Sequence, residues 1–358
     1  MGFTQVAVLG LGKVGALAAT LLGEGRFSVT GFDMRTPRMD LPFRVVIADL
    51  ADSVALAEAL KPFEAVLSCL PYHLNLGVAK TAHGQGLHYF DLTEDVATTR
   101  AILEMSVTAK GVVAPQCGLA PGFVGIVGAD LARQFDSCRA IRLRVGALPR
   151  NPTGLMGYAF NWSPEGVVNE YLNDCEVIEE GQHKWVSPME WIETLYIDGI
   201  KLEAFTTSGG LGTMCDTFLG KVNNLDYKTI RYPGHAKLMN FFFHELLMRE
   251  RRALAGEILT HAKPPVDEDM VFIHVSAEGT VNGALQRKEF VRAYHPINAG
   301  GERRTAIAWT TSASVVSVIE MVRDGRIPSK GFLKQEEIPL APFLETTAGH
   351  HFTAGVRG

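Results

Sequence analysis

VAVLGLGKVG, Val6 to Gly15, carries the strongest structural signal in the chain. Four apolar residues, Val6 to Leu9, read as a short buried strand, and Gly10, Gly12 and Gly15 follow it at the spacing GxGxxG. In a strand-to-helix turn that binds a dinucleotide, the first glycine allows the tight turn and the second lets backbone approach a pyrophosphate. The third lets the helix lie close on the strand, while the amides of the first helical turn, here from Lys13 and Val14 onward, face the anion. In a chain with 36 glycines the spacing alone is weak, so its surroundings matter. Leu17, Leu21 and Leu22 continue at helical spacing, and Asp33 closes the next strand-like run, SVTGFD. An acidic residue there accepts both ribose hydroxyls and repels a 2′-phosphate, which favours NAD. Arg35 and Arg38 follow closely and keep NADP open as the alternative.

Outward from this turn, apolar runs alternate with helix-like stretches: Ser28–Phe32, Val45–Ala48 then Ser53–Leu60, Ala65–Cys69 then Leu74–His83, His88–Phe90, a polar helix over Val96–Lys110, and Val112–Ala114. That alternation predicts an α/β fold with a doubly wound parallel sheet of the Rossmann kind. After Pro121 the rhythm changes. A helix is expected over Val124–Phe135, strands over Ile141–Val145, Tyr158–Asn161 and Leu202–Thr206, and a helix over Pro233–Arg252. Met270–Ala277 and Glu289–Ile297 read as paired strands turning within Gly279–Leu285, and Thr310–Val322 as a small-residue helix. This predicts a second α+β domain on a mixed sheet. At 358 residues two domains are expected: 1–121 for the dinucleotide, 122–308 for substrate and dimerisation, and 309–358 as a helix and tail returning to the first.

Composition narrows the function classes. Net charge is −5, from 34 basic and 39 acidic residues without long runs of either, so no basic surface is on offer to nucleic acid. The five cysteines contain no CxxC, and no HExxH occurs, so neither a disulfide framework nor a metal site is expected. No apolar run is long enough to span a membrane, and no secretory leader is evident, so a reduced, cytoplasmic protein is expected. Asp49 and Leu50 after the third strand are candidates for the adenosine side of the cofactor. Cys69, Leu70 and Pro71 after the fourth are candidates for its nicotinamide side.

Beyond the glycine turn, VLSCLPYHLN (66–75), CGLAPGFVG (117–125), YAFNWSPEGVVNEY (158–171), LEAFTTSGG (202–210) and KTIRYPGH (228–235) together resemble the saccharopine dehydrogenase family. The last two resemble its lysine ε-dehydrogenase branch most. The resemblance implies a Rossmann domain, a substrate domain on a mixed sheet, a homodimer, and hydride removal from the CH–NH unit of an amino acid. It places lysine ε-dehydrogenase first and saccharopine dehydrogenase, which makes or breaks a secondary amine, second. FDLTEDV (90–96) departs from the glycine-rich, uncharged segment of lysine ε-dehydrogenases. A non-catalytic dinucleotide sensor on the same domain is the reading from another class.

Such chemistry needs a holder for the substrate carboxylate and a base near the amine. Arg231 is the carboxylate candidate, because a guanidinium offers two parallel donors; a surface arginine on a strand is the plain alternative. Thr207, Ser208, Gly209 and Gly210 add hydroxyls and amides in a turn. Glu94 and Asp91, at the end of the fifth strand, and His73, after the fourth, are the base candidates. Helix capping is the plain role for each of these three. Tyr72, Thr93, Trp162, Ser163 and His235 complete the substrate set, and Cys117 and Gly118, which open the loop that joins the domains, complete the cofactor set.

Overall fold

The computed structural model describes residues 2–37 and 40–354, so Arg38 lies outside the described residues. In chain order the elements are β1 (Gln5–Leu9), α1 (Lys13–Glu24), β2 (Ser28–Asp33), β3 (Arg44–Ile47), α2 (Ser53–Leu60), β4 (Ala65–Ser68), α3 (Tyr72–Gln85), β5 (His88–Asp91), α4 (Val96–Ser106), β6 (Val112–Ala114) and α5 (Phe123–Ala132). Then come β7 (Ser137–Pro149), α6 (Pro164–Leu172), β8 (Cys175–Glu179), β9 (Gln182–Val186), β10 (Glu193–Ile197), β11 (Ile200–Thr206), α7 (Met214–Phe218), β12 (Asn224–Arg231), α8 (His235–Asn240) and α9 (Arg252–Ala262). The remainder is β13 (Asp269–Val281), β14 (Ala284–Tyr294), β15 (Ile297–Ala299), β16 (Glu302–Arg304), α10 (Ala306–Arg323), β17 (Gly331–Phe332), α11 (Leu340–Leu344) and α12 (His350–Ala354). The chain divides into two compact units, one of residues 1–126, 298–303 and 308–358, the other of 127–297 and 304–307.

In the first unit seven parallel strands run in the order β17-β6-β5-β4-β1-β2-β3. All four residues of β4 and the last four of β1 are buried, as expected for central parallel strands covered on both faces. From β1 the chain winds outward through β2 and β3, then returns to place β4 on β1's other side. The order therefore reverses between β1 and β4, and the crevice past their carboxyl ends is where doubly wound sheets take ligands. Ala7, Leu9, Val66, Val78, Ala82, Tyr89 and Val113 belong to the core that holds this edge in place.

The second unit is built on a mixed sheet whose main path is β10-β11-β12-β7-β13-β14, with β8 paired to β12 and β9 to β8. β12 lies parallel to β7, while β11 and β13 run antiparallel to their neighbours. Both the Rossmann sheet and the mixed sheet match the sequence reading.

Several local expectations are corrected. Tyr158–Asn161 forms no strand: Tyr158 and Phe160 pack into the core of the second unit from an irregular segment. The helix expected over Pro233–Arg252 is broken after α8 by a wide π turn at Phe241–Glu245. A short 3₁₀ turn at Met248–Glu250 follows Leu247, which sits at φ 57°. The wide turn belongs with burial of Phe243, fully covered while Phe241, Leu246 and Leu247 stay about half exposed. The turn expected within Gly279–Leu285 shrinks to Asn282 and Gly283, both at positive φ, so β13 and β14 extend up to it from either side. β14 ends at Tyr294, short of Ile297. Strands β8, β9 and β10 and helices α6, α7 and α9 have no counterpart in the sequence reading.

Candidate functional site

At the end of β1 the chain turns at Gly10, whose φ is 86°. A Cβ on Gly10 would stand 2.9 Å from the Cys69 carbonyl oxygen, and one on Gly15 would stand 1.9 Å from the Gly10 carbonyl oxygen. Both positions therefore exclude side chains. Around Gly12 a Cβ would meet nothing within 4 Å, so this face of the turn is open. Gly12 is also the extended N-cap of α1, and no side chain caps the helix. Uncapped amides beside an open backbone face fit a pyrophosphate. Lys13 is exposed and Val14 half-buried at the start of the helix.

The Asp33 carboxylate is anchored to the same turn. Its Oδ2 accepts from the Leu11 amide at 2.8 Å and its Oδ1 from the Arg35 amide at 2.9 Å. Arg35 is exposed. Asp49 is exposed and accepts from the Ala51 amide; the cap of α2 is Asp52, which accepts from Val54 and Ala55. Leu50 is buried in the core of the first unit.

β4 delivers Cys69, whose amide donates to the Leu9 carbonyl at 2.8 Å, and Leu70 and Pro71 lead into α3. Beside β4, β5 carries Asp91, which has no exposed surface. Its Oδ2 accepts from the Tyr89 hydroxyl at 2.6 Å, and its Oδ1 accepts from the amides of Thr93 at 2.9 Å and Gln116 at 3.0 Å. Burial raises Asp91 to about 6, against the opposing pull of those three donors. The Cys69 thiol is pushed up to about 12, by burial first and then by the Asp91 charge. Burial also holds the Cys117 thiol up, and Gln335 Nε2 donates to its sulfur at 3.2 Å. Both thiols are protonated at neutral pH and unsuited to nucleophilic work. The amide of Phe123 donates to the Gly118 carbonyl, which closes the loop that Cys117 opens.

Among the base candidates Asp91 is the fully buried one. Glu94 is half-buried, and His73 is exposed on the first turn of α3, with the Tyr72 ring edge-on at 5.9 Å. Thr93 is buried, and its hydroxyl accepts from the Asp95 amide at 3.2 Å. A buried carboxyl raised in this way at the carboxyl edge of a doubly wound sheet makes Asp91 a candidate functional group.

In the second unit β12 ends on Arg231, whose residue surface is 2 % exposed. Its Nε donates to the Tyr171 hydroxyl at 2.7 Å, and Nη1 donates to the Ile230 carbonyl. The guanidinium carbon lies 4.7 Å from the centre of the Tyr158 ring and 5.6 Å from that of Tyr171, within cation–π range. The hydroxyl of Tyr171 is 3.0 Å from His235 Nε2, and His235 Nδ1 is 3.0 Å from the Met156 carbonyl. Only one assignment satisfies this chain: Nδ1 carries the proton and donates to Met156, while Nε2 accepts from Tyr171. Burial, and then the Arg231 charge, lower His235 to about 3, so the ring is neutral.

The remaining candidates fall around this cluster or take structural roles. Trp162 Nε1 donates to the Tyr158 hydroxyl at 3.2 Å. Ser163 caps α6, accepting from the Gly166 amide. Ser208 donates to the Asp174 carbonyl, and the Thr207 hydroxyl is buried without a partner among the described residues. Gly209 sits at φ 89°, and a Cβ on Gly210 would stand 2.4 Å from the Tyr227 ring. Sequence reasoning passed over Tyr158, Tyr171, Tyr89 and Gln116 as partners. The two tyrosines that flank Arg231 bound the segment YAFNWSPEGVVNEY, but nothing in their spacing points at an arginine 60 residues beyond Tyr171.

The parallel sheet, the open glycine turn and the anchored Asp33 define a Rossmann-type dinucleotide-binding protein that carries a second unit on a mixed sheet. The pattern of the saccharopine dehydrogenase NADP binding domain matches residues 6–114, and that of the saccharopine dehydrogenase C-terminal domain matches residues 118–351. The chain belongs to the saccharopine dehydrogenase family, and its cofactor is a nicotinamide dinucleotide, NAD or NADP.

Among curated relatives, mouse mitochondrial alpha-aminoadipic semialdehyde synthase is 24 % identical over 265 residues, 66 % of this chain and 28 % of that protein. Saccharopine dehydrogenase [NADP(+), L-glutamate-forming] of Schizosaccharomyces pombe is 21 % identical over 157 residues, 42 % of this chain and 35 % of that one. The matched regions thus span about a third of those relatives' length. Among solved structures, saccharopine dehydrogenase (L-Glu forming) from Saccharomyces cerevisiae superimposes with a TM-score of 0.75 at 17 % identity, covering 96 % of both chains. An engineered D-amino acid dehydrogenase bound to NADP+ superimposes with a TM-score of 0.51 at 12 % identity, covering 95 % of this chain and 96 % of that one. Both share the fold. No described helix is long and apolar enough to cross a membrane.

Proposed function

We propose that this chain is an NAD(P)-dependent dehydrogenase acting on the CH–NH unit of an amino acid, of the saccharopine type: it forms or cleaves a secondary amine between a lysine-derived semialdehyde and glutamate. The observation that carries the reading is the tandem match of both halves of the chain to the two saccharopine dehydrogenase domains. The lysine ε-dehydrogenase reading placed first on sequence grounds gives way to the saccharopine reading, which both family patterns and the Schizosaccharomyces pombe relative support by name. A homodimer and a cytoplasmic location stay with the proposal, on the family resemblance and on five free cysteines.

A bound nicotinamide would supply the acceptor or donor for the C–H hydride of the CH–NH unit. Oxidation of the CH–NH unit also removes a proton from nitrogen, and Asp91, sealed and raised to about 6, is the proposed group to take it. Thr93 and Gln116 amides fix the orientation of that carboxyl. Arg231 is the proposed holder of a substrate carboxylate. Its Nε and Nη1 are tied to Tyr171 and Ile230, which fixes the guanidinium in place. The two tyrosine rings hold the guanidinium plane in one orientation.

The test follows reduced nicotinamide absorbance with NAD or NADP against saccharopine, lysine, and lysine-derived semialdehyde plus glutamate. Turnover on saccharopine, or on semialdehyde plus glutamate, is expected. Turnover on lysine alone would restore the lysine ε-dehydrogenase reading, and no turnover on any amine with either cofactor would sink both.

A further inference from the structure

Three side chains with metal-ligand chemistry, none of them given a role above, meet in the second unit. Glu176 lies on β8, His183 on β9 and Cys215 in the first turn of α7. In the β8–β9 hairpin Glu176 pairs with Trp185 and Ile178 with His183, so Glu176 and His183 are diagonal neighbours on one face. Glu176 Oε1 stands 2.7 Å from His183 Nε2. Cys215 is buried, and one ligand atom from each of the three residues lies within 4.8 Å of the others.

We propose that Glu176, His183 and Cys215 bind a divalent cation of the zinc class, with a fourth position open to water. The donor set decides the class of ion. A thiolate and an imidazole beside one carboxylate suit zinc and its borderline neighbours, whereas magnesium and calcium require oxygen ligands throughout. With zinc–ligand bonds of about 2.0–2.3 Å, tetrahedral ligands stand about 3.3–3.7 Å apart. The 2.7 Å Glu176–His183 pair has to open slightly and Cys215 has to close in, movements within the reach of side-chain rotation. The His183 side chain, 33 % exposed, supplies the entry path, while Glu176 and Cys215 form the sheltered floor.

The binding step balances as a divalent ion plus the Cys215 thiol giving a metal-bound thiolate and one released proton, so affinity rises with pH. No redox partner is needed. An ion held by β8, β9 and α7 fastens the hairpin to the helix, which makes it a stabilising clip for this unit.

The test uses the full chain, freed of metal with a chelator and titrated with zinc in competition with a chromophoric chelator, then with cobalt(II). One equivalent of zinc, a thiolate-to-cobalt charge-transfer band and a raised melting temperature are expected. Cys215→Ser should abolish the band, and His183→Ala should weaken zinc binding on the order of a hundredfold. His183 is partly exposed, so its variant keeps the fold, which far-ultraviolet circular dichroism without metal verifies. Absence of zinc binding to the wild-type chain would overturn the proposal. So would equal affinity and an unchanged cobalt spectrum in both variants, which would put the ion elsewhere.

Discussion

The hydroxyl of Tyr171 lies 3.0 Å from His235 Nε2, and the same oxygen accepts from Arg231 Nε at 2.7 Å. One phenol thus joins a buried cation to a buried neutral imidazole. Tyr171→Phe keeps the ring beside the guanidinium and removes the shared oxygen, leaving Nε–H and Nε2 unsatisfied in the core. A loss of about 1–3 kcal/mol is expected, read by urea unfolding. An unchanged midpoint would show that the oxygen carries no net stabilisation.

His235 gives the acid side of the stability profile a recognisable shape. Its folded value of about 3 lies below its ordinary 6.5, so the native state disfavours the protonated ring. Its contribution is fully present above 6.5 and is lost as pH falls towards 3, by up to roughly 5 kcal/mol. His235→Gln should therefore flatten the decline of stability between pH 6.5 and 3. Parallel wild-type and variant curves would contradict the assignment.

Asp91 acts with the opposite sign. Its folded value, about 6, exceeds its ordinary 3.8, so its contribution is present below 3.8 and lost as pH rises through 6, by roughly 3 kcal/mol. Asp91→Asn should remove that slope while lowering turnover by about 10²–10⁴, the range of general acid–base catalysis. Retained turnover, with the wild-type fall in rate below about pH 6 intact, would exclude Asp91 as the base.

The glycine turn separates folding from binding. Gly15→Ala drives a Cβ to 1.9 Å from the Gly10 carbonyl oxygen and should destabilise the protein by about 3 kcal/mol or more. Gly12→Ala meets nothing within 4 Å, so its melting temperature should match wild type while cofactor affinity falls about tenfold or more. Calorimetry of both variants distinguishes the two roles, and undiminished cofactor binding in Gly12→Ala would remove the pyrophosphate from this face.

Asp33 tests the choice between NAD and NADP. Its carboxylate is held by the Leu11 and Arg35 amides at the end of β2. Asp33→Ala should weaken NAD binding more than NADP binding, by about tenfold in the ratio of dissociation constants. Equal losses would show that Asp33 serves the loop and not the ribose.

What could be read from the sequence tracks how local the cause is. The strand–glycine–helix run from Val6, the acidic end of SVTGFD and the alternation through Val112–Ala114 are near-neighbour patterns, and they determined the parallel sheet and its cofactor turn. The second domain was legible in class only. Its long β13–β14 ribbon turns at an Asn282–Gly283 pair that a closer reading would have found. The break after α8 carried no local mark, because the helical spacing of Leu238, Phe242 and Leu246 persists while burial of Phe243 overrides it.

Local pattern was enough for the Rossmann half, for the roles expected of Gly10, Gly12, Gly15 and Asp33, and for the family. It took the folded chain to seal Asp91 while Glu94 and His73 stay more open, to set Arg231 against Tyr158 and Tyr171, and to leave His235 neutral. The reason is physical. Backbone conformation follows from residues a few positions apart, whereas desolvation and the partners of a buried charge depend on groups brought together from distant parts of the chain.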